Sequence, residues 1–341
     1  MNIYKELEKK SKKNIKTIIF PESYDERILN AVKIILKNKI AKVVLINSKN
    51  NSDFKINSDK NLTVIDLEFS SQFLKEYHSI KLEKKPGYKI SQSEIEIKNP
   101  LTFACMLLKN NFADGIIAGS VNSTSDVLRN AISIIGLEKN NKTVSSFFLF
   151  NFPKESKFND RVFAYADCGV IPSPDSSQLS DIAIQTSKNF KLLTGKIPKV
   201  AFLSFSTKGS AKGSAKGSAK GSAKGSAKDN SLDKILDAYK LTKKKNPKLI
   251  CDGELQFDAA FIPEIAKRKN PKGIIKGDAN VFIFPDLNSG NIAYKITERI
   301  GGAFATGPII QGLAKPVMDL SRGCNETDIV NMTKVITNLI K

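Results

Sequence analysis

The stretch MDLSRGCNETDIVNM, Met318 to Met332, sets a hydroxyl, a guanidinium, a thiol and a carboxylate close together in the chain, at Ser321, Arg322, Cys324 and Asp328. A loop that presents Ser321 and Arg322 side by side offers a hydroxyl donor and a planar fork of N–H donors to one small anionic ligand. Asn325 is a good helix N-cap, and Asp328 then falls at the third helical position, where a carboxylate serves as a capping-box partner. The same carboxylate could instead act as a general base. Cys324 is a candidate covalent nucleophile by its nearness to Ser321.

A second stretch, DGIIAGSVNSTSDVLRN, reads as a strand over Gly115–Ala118, a small-residue loop over 119–124 and a helix from about Ser125. Free N–H groups at the helix start, the hydroxyls of Ser123 and Thr124, and Arg129 one turn in would make an anion site. The residues allow a plainer reading equally: Ser123 or Thr124 caps the helix, and Arg129 pairs with a surface acid. Arginine is scarce in this lysine-rich chain, occurring only as Arg27, Arg129, Arg161, Arg268, Arg299 and Arg322. Lysine cannot reproduce the bidentate fork, so arginines in loops after strands carry more information than the lysines do. FPDLNSGNIAYK and GPIIQGLAKP add glycine and proline turns, weak signals on their own.

Several chemistries are disfavoured. His78 is the only histidine, which argues against a histidine-dependent triad. Cys105, Cys168, Cys251 and Cys324 lie far apart with no CxxC pair or Cys/His cluster, so neither a structural zinc site nor a disulfide framework is expected. Nucleotide motifs of the GxGxxG and GxxxxGK[ST] kinds are absent. A formal net charge of +20 raises a basic nucleic-acid-binding alternative, but the lysines are spread along the chain rather than gathered on one arm.

These residues must be positioned by a framework, and the alternation of short apolar runs with helical patterns supplies one. KTIIFPE, AKVVLIN, LTVIDL and ADGIIAGSV read as buried strands between helices such as DERILNAVKIILKN and NPLTFACMLLKNNF. The pattern restarts at KTVSSFFLFNF, with strands expected at VSSFFLF, RVFAYAD, KVAFLSF and NVFIFPD. The class is α/β, with ligands expected at the carboxyl ends of the strands. The domain expectation is 1–143 with 308–341 as a first, discontinuous α/β domain and 144–307 as a second. No run approaches about 18 apolar residues and no signal-peptide pattern opens the chain, so the reading is a cytoplasmic protein without a membrane span.

FPESYDERILNA, ADGIIAGSVNSTSDVLR, TVSSFFLF, VAFLSFSTKGSAK, GELQFDAAF, NVFIFPDLNSGNIAYKI and GPIIQGLAKPVMDLSRGC together resemble the phosphate acetyltransferase (phosphotransacetylase) family, in order along nearly the whole chain. The resemblance implies two αβα domains with a cleft between them, similar to isocitrate and isopropylmalate dehydrogenases, and a homodimer. It also implies reversible acetyl transfer between coenzyme A and phosphate by direct attack in a ternary complex. Coenzyme A and acetyl-CoA would be substrates, with no permanently bound cofactor or metal. Through DLSRGCNETD it assigns catalytic roles to Ser321, Arg322 and Asp328. Through STSDVLR it assigns phosphate or CoA binding to Arg129, with Ser123 and Thr124 in the same loop. Glu83, in KLEKKPG, stands where the family usually has arginine. A phosphate butyryltransferase shares the fold and loop chemistry and stays open as an alternative.

One segment departs from the family pattern. Five tandem KGSA units run from Lys208 to Ala227 and are followed by Lys228, where the resemblance implies a single unit. Lengthening an existing Gly/Ser/Ala-rich loop costs little, so a flexible, tolerated duplication is expected over 208–228.

Overall fold

The computed structural model describes residues 3–48, 59–210 and 231–340. The chain divides into two compact units: an N-terminal unit of 2–141 with 306–341, and a middle unit of 142–305. The α/β class read from the alternation is the one the structure has.

In the N-terminal unit the parallel strands are β1 (Thr17–Phe20), β2 (Lys42–Asn47), β3 (Leu62–Asp66), β4 (Gly115–Ala118) and, arriving from the far end of the chain, β11 (Val317–Asp319). They lie in the order β11-β4-β1-β2-β3. Progress therefore runs outward from β1 to β3 and then returns to the other side of β1 for β4. Loops after β1 and β4 diverge at that reversal, the place where open α/β sheets accept ligands. Three of the four residues of β1 and all four of β4 are buried, as befits a sheet covered on both faces. Helix Glu26–Lys37 follows β1, is capped by Asp25, and buries Ile28, Ala31, Val32, Ile35 and Leu36 on one stripe. Helix Pro100–Lys109 is buried at every residue from Leu101 to Leu108, because helices and sheet enclose it all round. The closing helix Glu326–Leu339 packs on helices Glu26–Lys37 and Ile3–Lys13.

The middle unit holds β5 (Ser145–Asn151), β6 (Val162–Ala166), β7 (Lys199–Leu203), β8 (Ile250–Leu255) and β9 (Val281–Ile283). With β10 (Phe304–Gln311) they form a sheet in the order β10-β5-β6-β9-β7-β8. β5 and β6 pair antiparallel, while β6–β9, β9–β7 and β7–β8 are parallel. Phe163, Phe261 and Phe282 pack edge-on or tilted at its core. The start of the repeat, Lys208 and Gly209, belongs to this framework rather than to a loose loop. Lys208 pairs with Asp252 and donates to the Gly253 carbonyl (2.9 Å), and the Gly209 N–H donates to Glu254 (3.1 Å). The expectation of flexibility is thus corrected for Lys208 and Gly209, which are anchored to β8; residues 211–228 of the repeat lie outside the described residues.

The end of β4 must approach β11 closely, and one residue permits it. Gly119 has φ +104°, and a Cβ there would stand 2.3 Å from Asp319 Oδ1 and 2.6 and 2.7 Å from the Leu320 backbone N and O. Gly119→Ala is expected to lower stability by about 3 kcal/mol, part from the left-handed conformation and part from overpacking. Urea unfolding measures this as a fall in midpoint; an unchanged midpoint would show that the two strand ends separate without cost.

Candidate active site

The loop after β4 is closed from below by a carboxylate. Glu22, 1% exposed at the end of β1, accepts five hydrogen bonds. They come from the Ser120 N–H (2.8 Å) and hydroxyl (2.7 Å), the Val121 N–H (3.1 Å), the Asn122 N–H (2.7 Å) and the Asn122 side-chain amide (2.7 Å). These loop N–H groups, which precede the helix start that the sequence offered to an anionic ligand, are turned onto the protein's own carboxylate.

Arg27, in the first turn of helix Glu26–Lys37, fastens the second loop to the first. Its guanidinium donates to the backbone carbonyls of Arg322 (2.7 Å), Cys324 (3.0 Å) and Ser120 (2.9 Å), and grips Asp25 through Nε (3.1 Å) and Nη2 (2.7 Å). Burial pushes the Asp25 carboxyl up, but the hydrogen bonds from Arg27 outweigh it and hold Asp25 below its ordinary value. Arg27 itself is held above its ordinary value, mainly by Asp25.

So anchored, Ser321 to Cys324 forms a tight turn at the carboxyl end of β11, closed by the Cys324 N–H on the Ser321 carbonyl (2.9 Å). Ser321, Arg322 and Gly323 are exposed on it. Ser321 Oγ accepts from the Gly323 N–H (3.2 Å). Cys324 points the other way: it is 6% exposed, and burial pushes its thiol up to about 11 against the opposing charge of Arg27. A thiol kept protonated at neutral pH is a poor nucleophile. Asp328 is exposed and takes the capping-box position: its Oδ2 accepts from the Asn325 N–H (3.0 Å), and Asn325 accepts from the Asp328 N–H (3.0 Å). Its Oδ1 has no hydrogen-bond partner among the described residues.

Beside this turn, Ser123 caps the short helix Thr124–Asn130, accepting from the Asp126 N–H (3.2 Å) and donating to the Asp126 carboxylate (2.7 Å). Arg129 pairs with Asp126 at 2.9 Å, with its side chain 72% exposed. Thr124 donates to Asp319 Oδ2 (2.6 Å), and the Leu320 N–H donates to the Ala118 carbonyl (2.7 Å), so the two loops are tied at their roots. Thr124, Ser321 and Arg322 thus rise from neighbouring strand ends, while Arg129 is held one helical turn along by Asp126. Glu83 is exposed and makes no ion pair among the described residues; Lys84 beside it donates to the Ser133 carbonyl (2.7 Å). His78 shares a hydrogen bond with Ser93 (3.0 Å) between two helices of the N-terminal unit.

A parallel sheet that carries an exposed hydroxyl and guanidinium on a braced turn at its carboxyl ends has hydrogen-bond donors for a small anion at the place where open α/β sheets accept ligands. A family model described as Phosphate acetyl/butaryl transferase matches residues 2–221 and 218–337. The chain is 42% identical to the phosphate acetyltransferase of Acetivibrio thermocellus, over 98% of this chain and 97% of that one. It is 38% identical to that of Bacillus subtilis, over 96% and 95%. A phosphotransacetylase structure from Streptococcus pyogenes superposes with a TM-score of 0.85 at 32% identity, covering 99% of this chain and 98% of that one. The EutD phosphotransacetylase from Staphylococcus aureus gives 0.82 at 32% identity, covering 100% and 98%. The chain belongs to the phosphate acetyl/butyryl transferase family.

Asp319 was not among the residues picked out for chemistry, yet it sits buried under the site with its Oδ1 unpartnered among the described residues. Burial pushes its carboxyl up to about 6, opposed by the Thr124 hydroxyl and reinforced by the charge of Glu22. Because the folded value lies above the ordinary one, the native state binds more protons between about pH 4 and 6, and stability is lost as pH rises through that window. Asp319→Asn removes the cost of ionisation. Its melting temperature relative to wild type is therefore expected to climb between pH 4 and 7, by the equivalent of about 3 kcal/mol. A difference that stays flat across this range would contradict a buried, reluctantly ionised Asp319.

Proposed function

We propose that the protein is a phosphate acetyltransferase that moves acetyl reversibly between coenzyme A and inorganic phosphate. The observation that carries this reading is the exposed Ser321–Arg322 pair on a turn braced from behind, in a chain of this family. Arg322 holds the phosphate by charge-assisted hydrogen bonds. Arg129 exchanges its exposed pairing with Asp126 for the same group or for a CoA phosphate, since an exposed ion pair costs little to give up. Ser123 and Thr124 hold the loop in which that exchange occurs.

In the direction of acetyl-CoA formation, the CoA sulfur attacks the carbonyl carbon of acetyl phosphate while Asp328 takes the thiol proton on Oδ1. Ser321 Oγ already accepts from Gly323, which leaves its O–H to donate to the developing oxyanion. The tetrahedral intermediate then collapses, the bond from carbon to the phosphate oxygen breaks, and phosphate leaves. A carboxylate and a thiol at their ordinary values differ by about 4 to 5 pK units, roughly 6 kcal/mol, so proton removal is concerted with attack. Burial of Cys324 favours this direct transfer over an acetyl-cysteine intermediate.

The enzyme works in the cytoplasm as a homodimer. Ile292, Ile296 and Ile300 support the second point: they follow one another at helical spacing along and just beyond helix Leu287–Arg299, with exposures of 58%, 52% and 83%. An apolar stripe of this kind suits a self-complementary surface. Ile296→Asp with Ile300→Asp is expected to halve the mass measured by light scattering after gel filtration; a dimer that persists would place the interface elsewhere.

Steady-state transfer from acetyl phosphate to CoA, followed as thioester absorbance with butyryl phosphate as a competing donor, tests the activity. Acetyl turnover should dominate, and Arg322→Ala should lower kcat/KM about 100-fold or more. No acetyl turnover, or preference for butyryl phosphate, would overturn the reading.

A further inference from the structure

The guanidinium of Arg27 has five N–H donors, and each has an acceptor in the structure. Nε and one N–H of Nη2 hold Asp25, the other N–H of Nη2 holds the Ser120 carbonyl, and Nη1 holds the carbonyls of Arg322 and Cys324. No donor is left for a substrate. Three of the five bonds end on backbone carbonyls in two separate loops, so the side chain behaves as a clamp between the turn after β11 and the loop after β4.

Resting on the reading of Ser321 and Arg322 above, we infer that Arg27 is a positioning residue: it fixes the Arg322 turn against the Ser120 loop without touching substrate. The bonds to Arg322 O and Cys324 O hold the turn at both ends of Gly323, where a Cβ would stand 3.8 Å from Ser321 Oγ and which has no side chain of its own to stiffen the backbone. The bond to Ser120 O ties that turn to the loop that Glu22 holds from beneath. Asp25 sets the plane of the fork through two contacts, one to each of its oxygens. A lysine has a single ammonium on a flexible stem; it can keep the charge beside Asp25 but cannot reach both loops in fixed geometry.

The test is a double-mutant cycle joined to hydrogen exchange. Arg27→Lys should lower kcat/KM for acetyl phosphate about 10-fold or more in the wild-type background, yet less than 3-fold in the Arg322→Ala background, because Arg27 acts through Arg322. In the same Arg27→Lys protein, amides of residues 321–325 should exchange about 10-fold faster while those of helix Glu26–Lys37 keep their protection. Equal losses in both backgrounds would mean that Arg27 acts on substrate directly and would overturn the inference. So would unchanged exchange at 321–325, or exchange that rises equally in the helix, which would reduce Arg27 to a general stabiliser. If the wild type transfers no acetyl group, the proposed activity fails, and the exchange result alone decides whether Arg27 positions the turn.

Discussion

The buried carboxylate of Glu22 is the constraint on which the site depends. At the reversal of strand order the loop after β4 aims three successive backbone N–H groups, those of Ser120, Val121 and Asn122, at the buried Glu22 carboxylate. A buried carboxylate without such donors is strongly destabilising, so these bonds hold the loop and the end of β1 together. Glu22 satisfies all three and two side chains besides. Its reach is possible because β1 and β4 are adjacent and parallel, which brings both strand ends to the same edge. The middle unit solves the same problem in the same way: buried Asp167, just past β6, accepts from the N–H groups of Ser146, Gly169, Val170 and Ile171.

With the Ser120 loop held from within, the turn after β11 can be held against it. Arg27 makes that connection, Thr124 and Asp319 tie the loop roots, and Gly119 lets the strands approach. The division of labour is plain in the exposures. Groups that hold the site, Glu22 and Asp319, are buried, whereas the groups assigned to chemistry, Ser321, Arg322 and Asp328, face outward on short local structures. The groups assigned to chemistry therefore rest on backbone geometry, and that geometry rests on Glu22, Asp319 and Arg27.

Legibility in the sequence followed the range of the interaction. Strands written as uninterrupted apolar runs, KTIIF, AKVVLIN and KVAFLSF, were visible, as was the helix behind Asp25. β8 was not, because ICDGEL carries Asp252 and Glu254, both buried and both bonded to the Lys208–Gly209 segment. β11 was too short, at three residues, to stand out from its glycine- and proline-rich surroundings. At the site, local signals were legible: Asn325 with Asp328 is the capping pair the spacing offered, and of the two readings left open at the other helix, the cap at Ser123 with Arg129 on an acid is the one seen. Glu22 and Arg27 escaped notice because their partners lie 98 and 295 residues away in the chain. Arginine scarcity was the one cue available for Arg27, and it could not say which loop the fork would serve.

Whether the substrate phosphate meets the Ser321–Arg322 turn or the N–H groups beneath it is decided most directly by a crystal structure of the protein with phosphate and CoA bound. The account predicts phosphate oxygens within hydrogen-bond distance of Ser321 Oγ and the Arg322 guanidinium, with Glu22 still bonded to residues 120–122. Phosphate seated on the Ser120, Val121 and Asn122 N–H groups, with Glu22 displaced, would contradict it.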